Sequence, residues 1–219
     1  MTFFRGFIFG VVVLSQLSES VKVSLYYEAL CYDSTKFIAF QLYPNYSQLK
    51  DYIQLEFVPF GKATHNFVDN KWLFDCQHGP NECKGNKYQS CALAQNNGQD
   101  KDVAFVHCVM RERNPADVRK MQKCANRVNI DWNKISSCAR TAQGDDLLAR
   151  NGNKTNNLEQ NISFVPTVVY DDKYDDYLQE RSLVDFVAVV CSKIAGERPQ
   201  ICANRRLPDR RFFSDYSFF

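Results

Sequence analysis

The cysteines constrain this chain more than any other sequence feature. The 219 residues contain nine of them. Thiols that lie near one another in an oxidising compartment form disulfides, so we expect a disulfide framework. Because nine is odd, one thiol stays free or bonds another molecule. Eight candidates for bridges follow position 75: Cys76, Cys83, Cys91, Cys108, Cys124, Cys138, Cys191 and Cys202. Eight cysteines allow many pairings, and we predict only a local bridge between Cys191 and Cys202.

The N-terminus is typical of a secretory signal peptide, which we place at residues 1–20. Arg5 precedes an apolar run over residues 6–14, and Ser18-Glu19-Ser20 offers a small-x-small cleavage site. The run is too short to span a bilayer, although a signal anchor is the alternative. We expect no integral membrane segment in the rest of the chain. The sequons at Asn45, Asn153 and Asn161 are compatible with glycosylation of an exported protein.

Charge and chain length give little indication of a partner. The formal net charge is +2, and we expect no nucleic-acid binding. The length suits one domain with an insertion. Residues 203–219 form an arginine- and aromatic-rich tail, which we interpret as a flexible terminus. A removable propeptide and a contact surface for anionic partners are the alternatives, and the oligomeric state is not predicted.

The first part of the chain has a strand–helix–strand pattern. Apolar residues alternate over residues 21–27 and predict a strand that ends just before Cys31. Asp33 or Ser34 can cap a helix that we expect to end where Pro44 interrupts it. A second alternating run over residues 53–57 predicts another strand, with residues 72–74 pairing beside it.

The second part changes character twice. Residues 76–161 contain no clear strand, and we expect a mostly helical insertion with helix starts at Asn114-Pro115 and at Asp131. Sheet character returns over residues 164–170, followed by a turn and a short strand around Tyr174. An amphipathic helix over residues 183–194 ends near Gly196. The order β-α-β, helical insertion, β-β-α predicts an α/β, thioredoxin-like fold over residues 21–202.

One cysteine motif is highly specific. Cys76-Gln77-His78-Gly79 is followed after two residues by Glu82-Cys83, then by Asn86 and Cys91. This segment resembles the signature of the gamma-interferon-inducible lysosomal thiol reductases at every specified position. The resemblance covers roughly residues 21–202. It implies a thioredoxin fold with a helical insertion, a lysosomal or secreted setting, and reduction of disulfides in proteins.

A metal site is the alternative interpretation of this motif. Cys76, His78, Cys83 and Cys91 are possible zinc ligands, but their spacing is wider than structural zinc sites favour. We therefore expect a disulfide-stapled loop in which His78 has a structural hydrogen-bonding role, and we predict neither a metal nor a cofactor.

A second motif, Cys31-Tyr32-Asp33-Ser34, stands where the resembled family carries Cys-x-x-Cys. The N–H groups at a helix start favour a thiolate at Cys31, whereas the negative charge of Asp33 disfavours it. In the intact family the first cysteine attacks a substrate disulfide and the second releases the reduced substrate. Ser34 cannot perform that second step, because an alcohol does not form an S–S bond.

A third motif, Val165-Pro166-Thr167, resembles the loop that faces the redox motif in thioredoxin folds, where the proline is cis. An ordinary trans turn is the alternative. Backbone groups in such a loop can pair with an extended peptide, which predicts a protein or peptide partner, disulfide-bearing or on a cell surface.

Three functions are compatible with these motifs. We favour a secreted or lysosomal binding protein that lacks dithiol reductase activity. The second is a monothiol oxidoreductase that uses Cys31 with glutathione or another external thiol. The third is a residual reductase in which a cysteine of the 76–91 region resolves Cys31.

Overall fold

A computed structural model describes residues 20–210. The predicted signal peptide, apart from Ser20, and the last nine residues of the tail lie outside this range. The strands are β1 (Val21–Tyr27), β2 (Ile53–Pro59), β3 (Thr64–Val68), β4 (Lys71–Asp75) and β5 (Thr167–Tyr170). The α-helices are α1 (Tyr32–Lys36), α2 (Tyr43–Leu49), α3 (Pro80–Leu93), α4 (Gln99–Met110), α5 (Val118–Arg127), α6 (Trp132–Ala139), α7 (Ala142–Asn156) and α8 (Asp176–Lys193). The fold is α/β and thioredoxin-like, as the order of the elements predicted.

The central sheet has the order β2-β1-β5. Strand β1 pairs in parallel with β2, from Val21 opposite Ile53, and antiparallel with β5, from Val23 opposite Tyr170. Leu25 lies in the main core cluster, whereas its neighbour Tyr26 lies in a second cluster. Since successive side chains of a strand point to opposite faces, β1 is buried on both faces.

The helical run after Cys31 is longer than expected. A π-helical segment (Phe37–Leu42) joins α1 to α2, and Pro44 lies in the first turn of α2. The expectation that Pro44 interrupts the helix is therefore wrong. Proline is tolerated in a first helical turn, where its missing N–H need not bond within the helix. Just before it, the N–H of Tyr43 bonds the carbonyl of Ile38 in the wider π pattern.

The expectation that residues 72–74 pair beside β2 is also wrong. They lie in β4, which pairs antiparallel with β3 in a separate two-stranded sheet. The connecting Asp69 and Asn70 both have positive φ, 49° and 59°, as tight hairpin turns require. This hairpin packs near α7, where the indole N–H of Trp72 donates to Asp146 at 2.9 Å.

Helices α3 to α7 occupy the stretch between β4 and β5, where the sequence predicted a helical insertion. Two disulfides cross-link it: Cys91–Cys138 joins α3 to α6, and Cys108–Cys124 joins α4 to α5. Asp131 caps α6 as predicted. The predicted start at Asn114-Pro115 is wrong, because α5 begins later, after Asp117 as its N-cap.

The last part of the domain departs from its predicted form in one strand. The short strand expected around Tyr174 is reduced to a single bridge between Tyr170 and Lys173. Helix α8 begins at Asp176, earlier than predicted, with Asp175 as N-cap. Among residues 20–210, no helix combines the length and the apolar character needed to cross a bilayer.

Candidate functional site

Cys31 is the N-cap residue of α1. The prediction that Asp33 or Ser34 caps this helix is therefore wrong, because the helix begins earlier, at Tyr32, and both residues lie inside it. The Cys31 Sγ accepts a hydrogen bond from the backbone N–H of Ser34 at 3.4 Å. On the other side the thiol donates to the carbonyl oxygen of Val165 at 3.5 Å. The side chain is 8% exposed. The sulfur therefore lies between the start of α1 and the loop before β5.

Ser34 lies one turn after Cys31 on the inner face of α1 and is fully buried. Its Oγ accepts the backbone N–H of Glu28 at 3.5 Å. Residues three apart share a helix face, so this hydroxyl occupies the position that a resolving thiol would need. Asp33 is exposed on the outer face of the same helix, where solvent screens its charge.

The third motif lies against the first two. The Val165–Pro166 peptide bond is cis, and Val165 supplies the carbonyl that meets the Cys31 thiol. Gln179 of α8 holds this loop with both ends of its amide: Nε2 donates to the carbonyl of Pro166 at 2.8 Å, and Oε1 accepts the N–H of Val168 at 2.7 Å. No sequence pattern indicated Gln179, because a polar residue in the first half of α8 is ordinarily exposed.

The signature segment supports the backbone that leads to Cys31. Asn86 Oδ1 accepts the N–H of Ala29 at 2.8 Å, and Glu82 Oε2 accepts the N–H of Leu30 at 3.3 Å. Between them on α3, a Cβ at Gly85 would lie 2.7 Å from the Cβ of Ala29. Helix α3 therefore packs directly on the loop between β1 and α1 and fixes its course.

His78 and the Cys76–Cys83 disulfide shape the start of α3. The disulfide closes the loop before the helix. The His78 backbone N–H donates to Glu82 Oε1 at 3.0 Å, and its Nδ1 lies 2.6 Å from Glu82 Oε2. Gly79, with φ of 80°, provides a backbone conformation that side chains disfavour. His78 thus has hydrogen bonds that hold the local structure together.

Glu28 adds a second buried carboxylate beside Glu82. Its Oε1 accepts the backbone N–H of Lys62 at 2.7 Å, and its Oε2 lies 3.3 Å from His78 Nδ1. Burial raises the pKa of Glu28, while the Lys62 hydrogen bond lowers it in part. None of the sequence motifs pointed to Glu28, although the residue precedes Cys31 by only three positions.

An apolar groove adjoins Cys31. It encloses a cavity of about 130 Å³ whose lining is Asp33, Lys36, Phe37, Phe40, Gln41, Phe164 and Leu183. Tyr32 and Phe40 are 73% and 70% exposed, unusually high for large apolar side chains. Phe164 comes just before the loop that meets Cys31. The groove therefore offers a surface that an extended polypeptide can contact beside the sulfur.

The remaining predicted residues are spread over the domain. Four disulfides take up eight cysteines, Cys191–Cys202 among them, and Cys31 is the free one. Because Cys76, Cys83 and Cys91 are all in disulfides, they do not form with His78 the zinc site that was the alternative interpretation of this motif. Of the sequons, Asn161 is exposed in a loop, Asn153 is exposed on α7, and Asn45 is half-buried on α2.

Fold and site together define a thioredoxin-like protein with one free cysteine at the start of its first helix. Residues 22–128 match the family model "Gamma interferon inducible lysosomal thiol reductase (GILT)". GILT-like protein 1 of Drosophila melanogaster is 33% identical over 88% of this chain and 82% of its own length. A gamma-interferon-inducible lysosomal thiol reductase-like protein of Anopheles gambiae is 37% identical over 82% and 79%.

A solved structure supports the fold. MdbA, a thiol-disulfide oxidoreductase from Actinomyces oris, superposes with a TM-score of 0.55 at 11% identity, covering 83% of each chain. This likeness concerns the fold alone. On the sequence relationships, the chain belongs to the GILT family of thiol reductases.

Proposed function

We propose that this chain is an exported, polypeptide-binding member of its family that does not complete a dithiol reductase cycle. The observation that carries the proposal is the buried Ser34 hydroxyl, one helical turn from the Cys31 sulfur. In this proposal the thioredoxin-like domain over residues 21–202 carries the binding function. Four disulfides and three sequons support a secreted or lysosomal location.

The missing step follows from thiol–disulfide exchange. The Cys31 thiolate attacks one sulfur of a substrate disulfide, forming a mixed disulfide and releasing the other sulfur as a thiolate. Release of the first sulfur then needs a second thiolate to attack the mixed disulfide. Ser34 has only a hydroxyl, so the adduct persists until an external thiol arrives.

The groove beside Cys31 supports a binding role. Phe40, which lines the groove and is 70% exposed, offers apolar contacts to an extended segment. The half-exposed Phe164 extends this surface towards the cis Val165–Pro166 bond. We expect the partner to be a protein or peptide with apolar residues near a cysteine.

A monothiol oxidoreductase is the second candidate. The Ser34 N–H donates to the Cys31 sulfur at 3.4 Å, a contact that holds the attacking sulfur at the start of α1. Glutathione would then supply the missing electrons: two glutathione molecules become one glutathione disulfide while one substrate disulfide becomes two thiols.

The test compares release from a disulfide-linked fluorogenic peptide by the disulfide-intact mature chain, with and without glutathione, at acidic and neutral pH. Cys31→Ala reports background, and Ser34→Ala is the matched control because it removes the hydroxyl without adding a thiol. Without glutathione, we expect the pre-reduced Ser34→Cys variant alone to release both halves of the peptide, once per molecule, because its two active-site thiols then end as an internal disulfide. Glutathione-dependent release that Cys31→Ala abolishes would favour the monothiol function. Release of both halves of the peptide by the unaltered chain without glutathione would refute the proposal.

A further inference from the structure

Two buried carboxylates and an exposed histidine lie together close to the Cys31 loop, and they have the composition of a cation site. We propose that Glu28, His78 and Glu82 bind one divalent cation of the zinc class. One ligand atom from each of the three residues lies within 4.8 Å of the other two. The proposal does not depend on whether Cys31 reduces disulfides.

A buried oxygen without a hydrogen-bond donor points to a missing ligand. Glu28 is fully buried, and among residues 20–210 its Oε2 has no hydrogen-bond partner. The atom points at His78 Nδ1, 3.3 Å away, but that nitrogen lies closer to Glu82, at 2.6 Å. One ring N–H cannot serve both carboxylates. A buried carboxylate oxygen without a partner is costly, and a cation or a proton would remove that cost.

The distances suit direct coordination. Histidine nitrogen and carboxylate oxygen lie about 2.0–2.2 Å from zinc, so two ligands of a tetrahedral site are roughly 3.4 Å apart. The separation between His78 Nδ1 and Glu28 Oε2 is 3.3 Å. The shorter contact with Glu82 would have to open by less than about 1 Å. His78 can make this adjustment because its side chain is 42% exposed and lies in a loop before α3.

The donor set selects the cation class. One imidazole and two carboxylates suit zinc and neighbouring transition metals, whereas magnesium and calcium prefer oxygen ligands alone. The nearest signature cysteines do not compete, since Cys76 and Cys83 are bonded to each other. Three protein ligands leave a fourth position for water, and the exposed edge of His78 gives access from solvent.

A bound cation would tie β1 to α3 immediately before the reactive cysteine. Glu28 directly follows β1, and its backbone already bonds Ser34 Oγ. Protons compete with the cation for the carboxylates and for His78, so affinity should fall as pH falls. The positive charge of Lys62, which also acts on Glu28, opposes cation binding.

The test is zinc titration of the purified, disulfide-intact mature chain at neutral pH by isothermal calorimetry. We expect one saturable site whose affinity falls at least roughly tenfold in Glu28→Gln and in His78→Gln. His107→Gln, a histidine elsewhere in the domain, and Cys31→Ser should bind as the unaltered chain does. Circular dichroism and a thermal melt check that each variant is folded.

Cobalt(II) substitution distinguishes this site from the thiol. A site of imidazole and carboxylate ligands gives weak visible bands without a thiolate-to-metal charge-transfer band. Absence of saturable zinc binding by the folded chain would overturn the proposal. So would binding that survives both Glu28→Gln and His78→Gln, or a charge-transfer band that disappears in Cys31→Ser.

Discussion

Asp102 should make the stability of this protein depend on pH in the acidic range. The residue lies in the first turn of α4 and faces a cavity of about 320 Å³ between α3, α4, β2 and α7. Burial raises the pKa of Asp102 to about 6 from 3.8, and a hydrogen bond from Asn97 offsets only part of this effect. Its Oδ1 is buried without a hydrogen-bond partner among the described residues.

The sign and size of the effect follow from this shift. An acid whose pKa is higher in the folded state binds its proton more tightly there, so its contribution is complete below about pH 4 and is lost as pH rises through about 6. About two pKa units correspond to roughly 3 kcal/mol. Because the carboxyl is partly exposed, solvent screening reduces this effect, and we expect the ionised Asp102 to lower the free energy of unfolding by about 1–2 kcal/mol at neutral pH.

Asp102→Asn removes the ionisation while keeping the shape of the side chain. We expect this variant to be more stable than the unaltered chain by about 1–2 kcal/mol at neutral pH and equally stable near pH 4, measured by urea unfolding with disulfides intact. Asp100→Asn is the matched control on the same helical turn. Hydrogen bonds from Lys50 and Tyr46 lower the pKa of Asp100, so that variant should lose stability at neutral pH. An Asp102→Asn variant that is no more stable at neutral pH would refute the reasoning.

Three further predictions concern other parts of the domain. Replacing Cys91 and Cys138 by alanine removes a bridge between residues 47 apart in sequence and should lower the free energy of unfolding in urea by about 4 kcal/mol. The same change at Cys76 and Cys83, which are 7 apart, should lower it by about 2.5 kcal/mol, and a reversed order would contradict the loop-entropy argument. Asn86→Ala leaves the Ala29 N–H without its acceptor and should cost about 1–3 kcal/mol in the same assay, whereas an unchanged midpoint would show that water replaces the amide. Burial and Arg111 lower the pKa of His107 to about 4, so its ring proton signals should not shift in NMR spectra between pH 7 and 5, and a midpoint near 6.5 would be the contrary result. Because this pKa is lower than in the unfolded chain, His107 should also reduce stability as pH falls below about 6.5.

Local sequence patterns predicted the parts of the site that depend on neighbouring residues. The end of the strand at residue 27 placed Cys31 between a strand and a helix, although the helix begins at Tyr32, before the predicted caps Asp33 and Ser34. The sequence around Val165 and Pro166 indicated the loop beside it. The position of Cys31 was readable because strand alternation acts over a few residues, whereas the loop was indicated by its resemblance to the thioredoxin fold.

Non-local contacts could not be read in the same way. Glu82 and Asn86 belong to the cysteine motif that the sequence singled out, but nothing in the sequence showed that they bond the backbone of Leu30 and Ala29, more than fifty residues earlier. Gln179 is a comparable case, since its two hydrogen bonds depend on how α8 packs against β5. The Pro44 prediction failed because a π-helical segment let the chain accommodate a residue that usually ends a helix.

Because Cys31 is the single free cysteine, its reactivity can be used to follow movements of the structure around it. Because eight of the nine cysteines are bridged, a thiol-alkylating reagent added to the native protein has one thiol to react with, and that residue is only 8% exposed beside the Val165 carbonyl. The rate of labelling would thus measure how often the loop at Pro166 separates from α1. Any molecule that occupies the neighbouring groove should slow this rate, so a single mass-spectrometric time course can screen candidate partners of any chemical type.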